Sequence, residues 1–300
     1  MASVARLSFG IKTSQANVDY DHIVRIWREA DAIDTFEHAW LWDHLVPLRG
    51  EVTGTALEAW TLLAALAAQT RRLQLGVNVT SNRIRPPAVL AKMAATVDII
   101  ASGRLVFGIG AGGSQVPGDS AVPGVRREFD AYGLPVVSAR HAIGALAEAC
   151  TLIRRMWGET EPFDFLGTYY QLSGAVCEPK PLQKPHPPIM LGGGGEQFML
   201  RVVAEHADVW SCPARTAEEF SYKNSVLDKH CVAIGRDPKE IRRSMQVLIR
   251  PGEKAAEVRG RVLPLIEAGV DHLILAPIPP VPAVGWLADE IAAPLLASVN

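Results

Sequence analysis

The stretch from Arg72 to Gly113 constrains the fold of this chain more strongly than any other segment. It contains two short apolar segments that are typical of buried strands, RLQLGVNV at 72–79 and GRLVFGIG at 103–110. The segment between them, PPAVLAKMAATVDIIA at 86–101, begins with prolines and then has apolar residues at helical spacing. A strand, a helix and a second strand in this order predict a βαβ unit with parallel strands.

The two loops of this unit follow the carboxyl ends of its strands. Parallel strands place these loops at one edge of the sheet, so we expect VTSNRIRPP and GAGGSQ to lie side by side. Glycines let backbone N–H groups approach a ligand closely, and Arg83 and Arg85 add positive charge. The loops therefore predict a binding site for an anionic cofactor.

The alternation of strands and helices continues along the whole chain. Further apolar segments typical of strands lie at 7–11, 38–47, 187–193, 208–212, 243–250 and 272–276. Eight βα repeats without a long linker predict an α/β fold, a single (β/α)8 TIM-barrel domain over residues 1–300; a doubly wound sheet is the alternative. Irregular insertions are expected near 111–137 and 158–187.

Composition and charge exclude several classes of function. The 300 residues carry a formal net charge of −2 with dispersed basic residues, which gives no electrostatic footprint for nucleic acid or an anionic membrane. The four cysteines lie far apart and form no CxxC motif, which argues against a metal site and a disulfide framework. The first apolar run is too short for a signal peptide. We therefore expect a cytoplasmic protein that acts on a small molecule.

Several motifs of the chain together resemble one known family. The pattern RLxLGVxVT followed by RxPAxLAKMAATxDxxxxGRLxFGxGAG is similar to the bacterial luciferase-like monooxygenase superfamily, in particular to the branch that uses the deazaflavin coenzyme F420. The family order continues with LWDHLVP at 41–47, AYGLP at 131–135, PPIMLGGGGEQFMLRVVAEHADVW at 187–210 and GVDHLILA at 269–276. The resemblance implies a TIM barrel with coenzyme F420 as its cofactor.

Asp43 and His44 lie at the end of the second predicted strand, on the side of the barrel where active sites of this fold lie. A carboxylate there can accept hydrogen bonds from a flavin-like ring, and a histidine can transfer a proton at neutral pH. The pair alone is also compatible with an aspartate that caps the next segment and a histidine that packs. The family resemblance implies that both contact the deazaflavin ring, with His44 as the candidate acid.

Two glycine loops are candidates for binding the cofactor. The glycines at 192–195 join a strand to a helix N-terminus, where backbone N–H groups and the helix dipole favour a phosphate, although such a run also suits a plain tight turn. The resemblance implies that the cofactor phosphate is held by Ala111, Gly112 and Gly113 and by Gly192, Gly193, Gly194 and Gly195. It also implies a cis peptide bond between Asn78 and Val79, which forms a bulge behind the ring.

Four arginines are candidates for the oligoglutamate tail of the coenzyme, because guanidinium binds carboxylate in a fork; they are Arg83, Arg85, Arg126 and Arg127. For each of them, a solvated surface position is the alternative. Glu128 matches a glutamate that precedes AYGLP in relatives and is the second catalytic candidate. The same carboxylate is also suited to stabilise the start of a helix.

The resemblance implies an oxidoreductase in which reduced F420 passes a hydride to an activated C=C or C=N bond of an organic substrate, with His44 or Glu128 completing protonation. A reduced-FMN monooxygenase of the same fold is one alternative, and a non-catalytic ligand-binding barrel is another. Sugar-phosphate dehydrogenases of the family carry a glutamate where this chain has Gly113 and Ser114, which argues against that activity. Outer helices of such barrels often form dimers, so a homodimer is one expected assembly.

Overall fold

The computed structural model describes residues 6–48, 51, 53–112, 124–279 and 282–299. The strands of these residues are β1 (Ser8–Lys12), β2 (Phe36–Leu41), β3 (Gln74–Val77), β4 (Thr80–Ser81), β5 (Leu105–Gly110), β6 (Phe163–Leu166), β7 (Gln171–Ala175), β8 (Ile189–Gly192), β9 (Val209–Cys212), β10 (Arg242–Ile249) and β11 (His272–Pro277). Parallel pairing joins β1, β2, β3, β5, β8, β9, β10 and β11 in this order, and β11 pairs back with β1. The short β4 extends the wall beyond β3 by pairing with β5. The predicted TIM barrel is confirmed.

Helices cover the outside of this barrel. Those of the described residues are α1 (Tyr20–Asp31), α2 (Ala59–Gln69), α3 (Pro87–Ile100), α4 (Val125–Ala131), α5 (Ala139–Gly158), α6 (Met199–His206), α7 (Ala217–Ala233), α8 (Ala255–Glu267), α9 (Val284–Trp286) and α10 (Ala293–Val299), with a π-helical turn, Leu287–Ala292, between the last two. In α1, Ile23, Val24, Trp27 and Ala30 recur at spacings of three and four residues, and all are buried. Such apolar faces attach the helices to the strands.

Side chains of the strands alternate between the barrel interior and the helix layer. On β2, Trp40 belongs to a cluster in the interior, whereas Ala39 and Leu41 belong to the core that the helices share. The interior cluster is completed by Val106, Met190, Val209 and Ile274. Because side chains fill the interior, a ligand is expected at the rim formed by the carboxyl ends of the strands.

The segment 158–187 is more regular than predicted. It contains an antiparallel hairpin of β6 and β7. The turn of the hairpin is held from outside, because the Glu148 carboxylate on α5 accepts the backbone N–H groups of Thr168, Tyr169 and Tyr170 at 2.6 to 3.1 Å. Glu148 lies far from the turn in sequence, so a local pattern does not reveal this hairpin.

Two helices also differ from the sequence-based expectation. In the predicted insertion 111–137, residues 113–123 lie outside the described part of the chain, but α4 is helical and buries Val125, Glu128 and Phe129. The helix after the glycine run begins at Met199 rather than directly at the glycines. The glycine loop therefore reaches α6 through a short turn.

All four cysteines are free and buried. Burial raises the pKa of Cys150 to about 12 and the pKa of Cys212 to about 11, so both thiols stay protonated at neutral pH. Across the described residues, the histidine, cysteine and acidic side chains form no group of three or more that could hold a metal ion. The described helices are all too short or too polar to cross a lipid bilayer.

Candidate active site

A cavity of about 460 Å³ lies at the carboxyl ends of the barrel strands, and we call it the first cavity. Its volume falls in the range of small-molecule sites. Its lining brings together Asp43, His44, Asn78, Val79, Ala111, Gly112, Glu128, Gly192, Gly193, Gly194 and Gly195. Gly113 lies outside the described residues. The structure therefore gathers the other predicted catalytic and cofactor-binding residues around one space.

Val79 forms one wall of the first cavity. The peptide bond between Asn78 and Val79 is cis, as the family resemblance predicts. A Cβ atom added to Gly110 or to Gly192 would lie 2.8 Å from a methyl group of Val79, so these strand ends have no room for a side chain. Bare backbone and one valine thus form this part of the wall, which leaves room for a ring system such as a flavin or deazaflavin.

The loop Gly192–Gly195 borders the cavity beside this wall. Gly193 has φ +143°, and a Cβ atom there would lie 2.7 Å from Met199 Cγ, so glycine is required at this position. At Gly195 an added Cβ atom would lie 3.5 Å from Met199 Cβ, an ordinary contact. Lys223 on α7 donates to Gly194 O at 3.1 Å. The bare backbone of the loop suits an anionic cofactor group, whereas Lys223 Nζ already lies 3.9 Å from Glu196 Oε1 and 4.0 Å from Glu219 Oε1.

His44 and Glu128 meet at the edge of the first cavity. His44 Nδ1 lies 3.1 Å from Glu128 Oε2, and the other carboxylate oxygen accepts the backbone N–H of Leu45. The Glu128 side chain is 1% exposed, whereas that of His44 is 29% exposed. A carboxylate can only accept, so Nδ1 carries the hydrogen and Nε2 is left for chemistry. Glu128 therefore fixes the orientation of the His44 ring through Nδ1.

Asp43 holds the segment after β3 in place. Its Oδ2 accepts from Thr80 Oγ1 at 2.7 Å and from the Ser81 backbone N–H at 3.1 Å. Its two oxygens also form a bidentate pair with the Arg85 guanidinium at 2.8 and 3.0 Å, and Arg85 bonds to Glu58 as well. Two carboxylates of the chain therefore engage the Arg85 guanidinium, and its contact with a cofactor tail stays a prediction.

The other three tail candidates lie on or near α4. The Arg83 guanidinium lies 4.6 Å from the centre of the Phe129 ring. Arg126 pairs with Asp130 on the exposed face of α4, and Arg127 donates to a backbone carbonyl at 3.3 Å. The first cavity is not lined by these three side chains in the described part of the chain. Their role in binding an acidic tail stays a prediction.

Lys12 is a site residue that the sequence patterns above do not identify. It ends β1, and its Nζ donates to Asn78 O and Gln246 Oε1, both at 2.7 Å, with a longer contact of 3.2 Å to Asn78 Oδ1. Burial lowers its pKa to about 7. The available signal was a lysine directly after the apolar run SFGI, at the rim where active-site residues of a barrel lie.

A second cavity of about 470 Å³ adjoins the first. The two share Lys12, Trp42 and His44 in their linings. The rings of Trp42 and His44 lie 5.4 Å apart, between their centres. The remaining walls of the second cavity come from Leu48, from the segment after β1 and from the carboxyl-terminal parts of β10 and β11 with the residues that follow β11. His44 and Lys12 therefore stand at the boundary of two compartments.

Known proteins resemble this chain over most of its length. Residues 3–292 match the family described as luciferase-like monooxygenase. A phthiodiolone/phenolphthiodiolone dimycocerosates ketoreductase from Mycobacterium sp. (strain JLS) is 30% identical over 208 residues, which are 67% of this chain and 50% of that protein. An F420-dependent glucose-6-phosphate dehydrogenase from Kineococcus radiotolerans is 30% identical over 225 residues, 74% of this chain and 61% of that protein. The chain thus spans less than two thirds of either relative.

A solved structure has the same fold over nearly the full chain. It is an F420-dependent secondary alcohol dehydrogenase in complex with an F420–acetone adduct, with a TM-score of 0.81 and 18% sequence identity. The match covers 97% of this chain and 99% of that chain. At this level of identity the likeness shows the fold and no more.

Proposed function

Because the chain belongs to the luciferase-like monooxygenase family, we propose that it is an oxidoreductase that uses coenzyme F420. The reaction transfers a hydride between the reduced deazaflavin and an activated C=C or C=N bond of an organic substrate. The position of His44 carries this proposal, since the side chain lies between two cavities and is held by the buried Glu128. F420 in the names of a relative and of a structural neighbour supports the choice of cofactor.

The first cavity is the compartment for the cofactor. Val79 and the bare backbone at Gly110 and Gly192 supply a wall for the ring, and the backbone of the glycine loop suits the phosphate. Once bound there, the deazaflavin supplies the hydride. Asp43 keeps the residues after β3 in position, because its carboxylate binds Thr80, Ser81 and Arg85.

His44 supplies the proton that accompanies the hydride. The Glu128 carboxylate accepts the hydrogen of Nδ1 and stabilises the positive charge of the protonated ring, so the transferred proton leaves from Nε2. The partly exposed ring then regains a proton from solvent. The second cavity holds the substrate against the same histidine, which positions both partners of the reaction at one boundary.

The decisive experiment compares the binding of F420 and FMN to the purified protein by absorbance titration. Tight binding of F420 with weak binding of FMN supports the proposal. Tight binding of FMN alone overturns it in favour of a reduced-FMN monooxygenase of the same family.

The role of His44 is tested with F420 bound. His44→Ala and His44→Asn should keep the parental cofactor affinity and lose roughly 100-fold in turnover, the size of a general acid's contribution. Near-parental turnover in both variants would remove His44 as the proton donor.

A further inference from the structure

We infer that Lys12 is a catalytic residue that binds the substrate's carbonyl oxygen, and that the substrate is a largely apolar molecule with an α,β-unsaturated ketone or aldehyde. This inference rests on the proposed function, because it takes the second cavity as the substrate compartment. It narrows the activated double bond to a C=C bond conjugated with a carbonyl group.

The position of Lys12 places its ammonium where the two compartments meet. Its Nζ is anchored on one side by Asn78, which lines the first cavity, and on the other side by Gln246, which lines the second. The residue is half-buried, and part of its surface remains open to both cavities. A hydride that passes between the compartments must cross this boundary, so the reacting bond lies near Nζ.

One of the three hydrogen bonds of Lys12 is weak enough for a substrate atom to replace its acceptor. An ammonium group has three N–H donors. Two of them make bonds of 2.7 Å to Asn78 O and Gln246 Oε1, and the third has only the 3.2 Å contact to Asn78 Oδ1. The Asn78 amide is fixed independently by its bond to Ser211 Oγ at 2.9 Å. A carbonyl oxygen of the substrate can replace the long contact without disturbing the two short bonds.

The charge of Lys12 favours an oxygen that becomes negative during the reaction. Its three acceptors are neutral amide oxygens, and burial alone lowers its pKa to about 7. A buried cation without an anionic partner gains most from a ligand atom that develops negative charge. Such a gain is larger in the transition state than in the ground state, which is the condition for catalysis.

The second cavity indicates the rest of the substrate. Apolar side chains form much of its described wall, among them Val18, Trp42, Leu48, Leu248, Ile278 and Pro279. Among the described residues that line the second cavity, Lys12 and His44 are the ones with basic side chains. A phosphorylated substrate would bring two negative charges to the single Lys12 ammonium. A neutral carbonyl compound needs one hydrogen-bond donor, which Lys12 supplies, and its apolar part fits the apolar wall of the cavity.

The proposed step balances with the residues present and the reduced deazaflavin. The β-carbon of the substrate takes up the hydride, and the C=C electrons move toward the carbonyl oxygen, where the Lys12 ammonium stabilises the enolate by a hydrogen bond. His44 Nε2 then gives its proton to the α-carbon, and the C=O bond is restored. The substrate gains one hydride and one proton, and the two electrons come from the reduced deazaflavin.

The binding test uses cofactor-free protein and 4-phenylbut-3-en-2-one labelled with 13C at the carbonyl carbon. In the parent protein, the carbonyl resonance of the bound ketone should move downfield, because the ammonium polarises the C=O bond. In Lys12→Met this displacement should vanish, and ketone affinity should fall roughly tenfold, the usual size of a hydrogen bond to a charged group. The matched control is Lys180→Met, since Lys180 bonds to Met156 O away from both cavities; it should behave like the parent.

The activity test follows with F420 bound. Lys12→Met should reduce the rate of enone reduction about 100-fold, as loss of one oxyanion donor does, while the affinity for F420 stays parental. An equal loss of F420 affinity and ketone affinity would assign Lys12 to the cofactor and overturn the inference. An unshifted carbonyl resonance in the parent would also overturn it, even if Lys12→Met does not fold. If the protein binds neither F420 nor FMN, the proposed function fails, whereas the carbonyl resonance still decides the role of Lys12.

Discussion

His44 Nδ1 and Glu128 Oε2 lie 3.1 Å apart, and the carboxylate is buried while the imidazole faces two cavities. We predict that Glu128→Gln binds F420 like the parent but transfers hydride roughly tenfold to 100-fold more slowly. The amide no longer stabilises the protonated ring, so part of the general-acid contribution is lost. Cofactor titration and single-turnover kinetics measure the two effects separately.

The control for this prediction is Asp130→Asn on the same helix. Asp130 pairs with Arg126 on the exposed face of α4, so its loss removes a carboxylate without touching His44. Parental kinetics are expected. If Glu128→Gln also keeps the parental rate, the contact between His44 and Glu128 only holds α4 against the barrel and has no part in proton transfer.

The barrel was predictable because local patterns encode its strands and helices. The apolar run at 7–11 predicted a strand that matches β1, and the helical spacing of the apolar residues at 23–30 matches the buried face of α1. The hairpin of β6 and β7 was not predictable in this way. Its turn depends on Glu148, which approaches only after α5 has packed, so the stabilising contact has no local signature.

Gly195 provides the sharpest test of the glycine loop. We predict that Gly195→Val keeps the parental free energy of unfolding but weakens cofactor binding. An added Cβ atom at Gly195 meets only an ordinary contact with Met199, so the side chain extends into the space beside the loop. Urea unfolding and F420 titration measure the two properties. Unchanged F420 affinity in the folded variant would show that the loop does not contact the cofactor.

Gly192→Ala is the matched contrast. The new methyl group would lie 2.8 Å from Val79, so the wall of the first cavity must shift. Overpacking of this kind costs about 1–3 kcal/mol of folding free energy. Loss of stability at Gly192 and loss of affinity at Gly195 would separate the structural glycine from the ligand-facing one.

Arg85 is predicted to act on stability through Asp43. The Asp43 side chain is 1% exposed, and its bidentate bond to Arg85 neutralises it. Arg85→Met leaves a buried carboxylate without its cation, so we expect a loss of about 3–5 kcal/mol in the free energy of unfolding. Urea denaturation measures this loss.

The double variant Asp43→Asn with Arg85→Met should recover part of that loss, because the unpaired charge is then absent. Arg126→Met, which breaks an exposed pair, should cost less than about 1 kcal/mol. A double variant as unstable as Arg85→Met alone would mean that Arg85 stabilises the fold through its other partner, Glu58.

The site was predictable only where residues of one role stand together in sequence. Asp43 and His44 are adjacent and follow a strand, so the sequence placed both at the rim. The role of Arg85 depends on Asp43 and Glu58, which lie 42 and 27 positions away, and a lone arginine is compatible with many partners. The role of Lys12 depends in the same manner on Asn78, which follows β3, and on Gln246 in β10.

The last prediction concerns two histidines inside the barrel. The rings of His38 and His272 stack with their centres 3.8 Å apart, and Ser244 Oγ bonds to His272 Nδ1 at 2.8 Å. Burial lowers the pKa of His272 to about 3 and holds the pKa of His38 well below its usual value. Both rings are therefore neutral in the folded protein at pH values where they would be protonated in the unfolded chain.

The sign of the pH effect follows from proton binding. Below the unfolded pKa of about 6.5, the unfolded state binds more protons than the folded state, so stability falls as the pH is lowered toward 3. Each histidine contributes up to about 1.4 kcal/mol per pH unit. We expect His272→Gln to flatten the dependence of the unfolding free energy on pH between 6 and 4, measured by urea denaturation. Equal slopes in the parent and in His272→Gln would show that this buried ring does not carry the acid sensitivity.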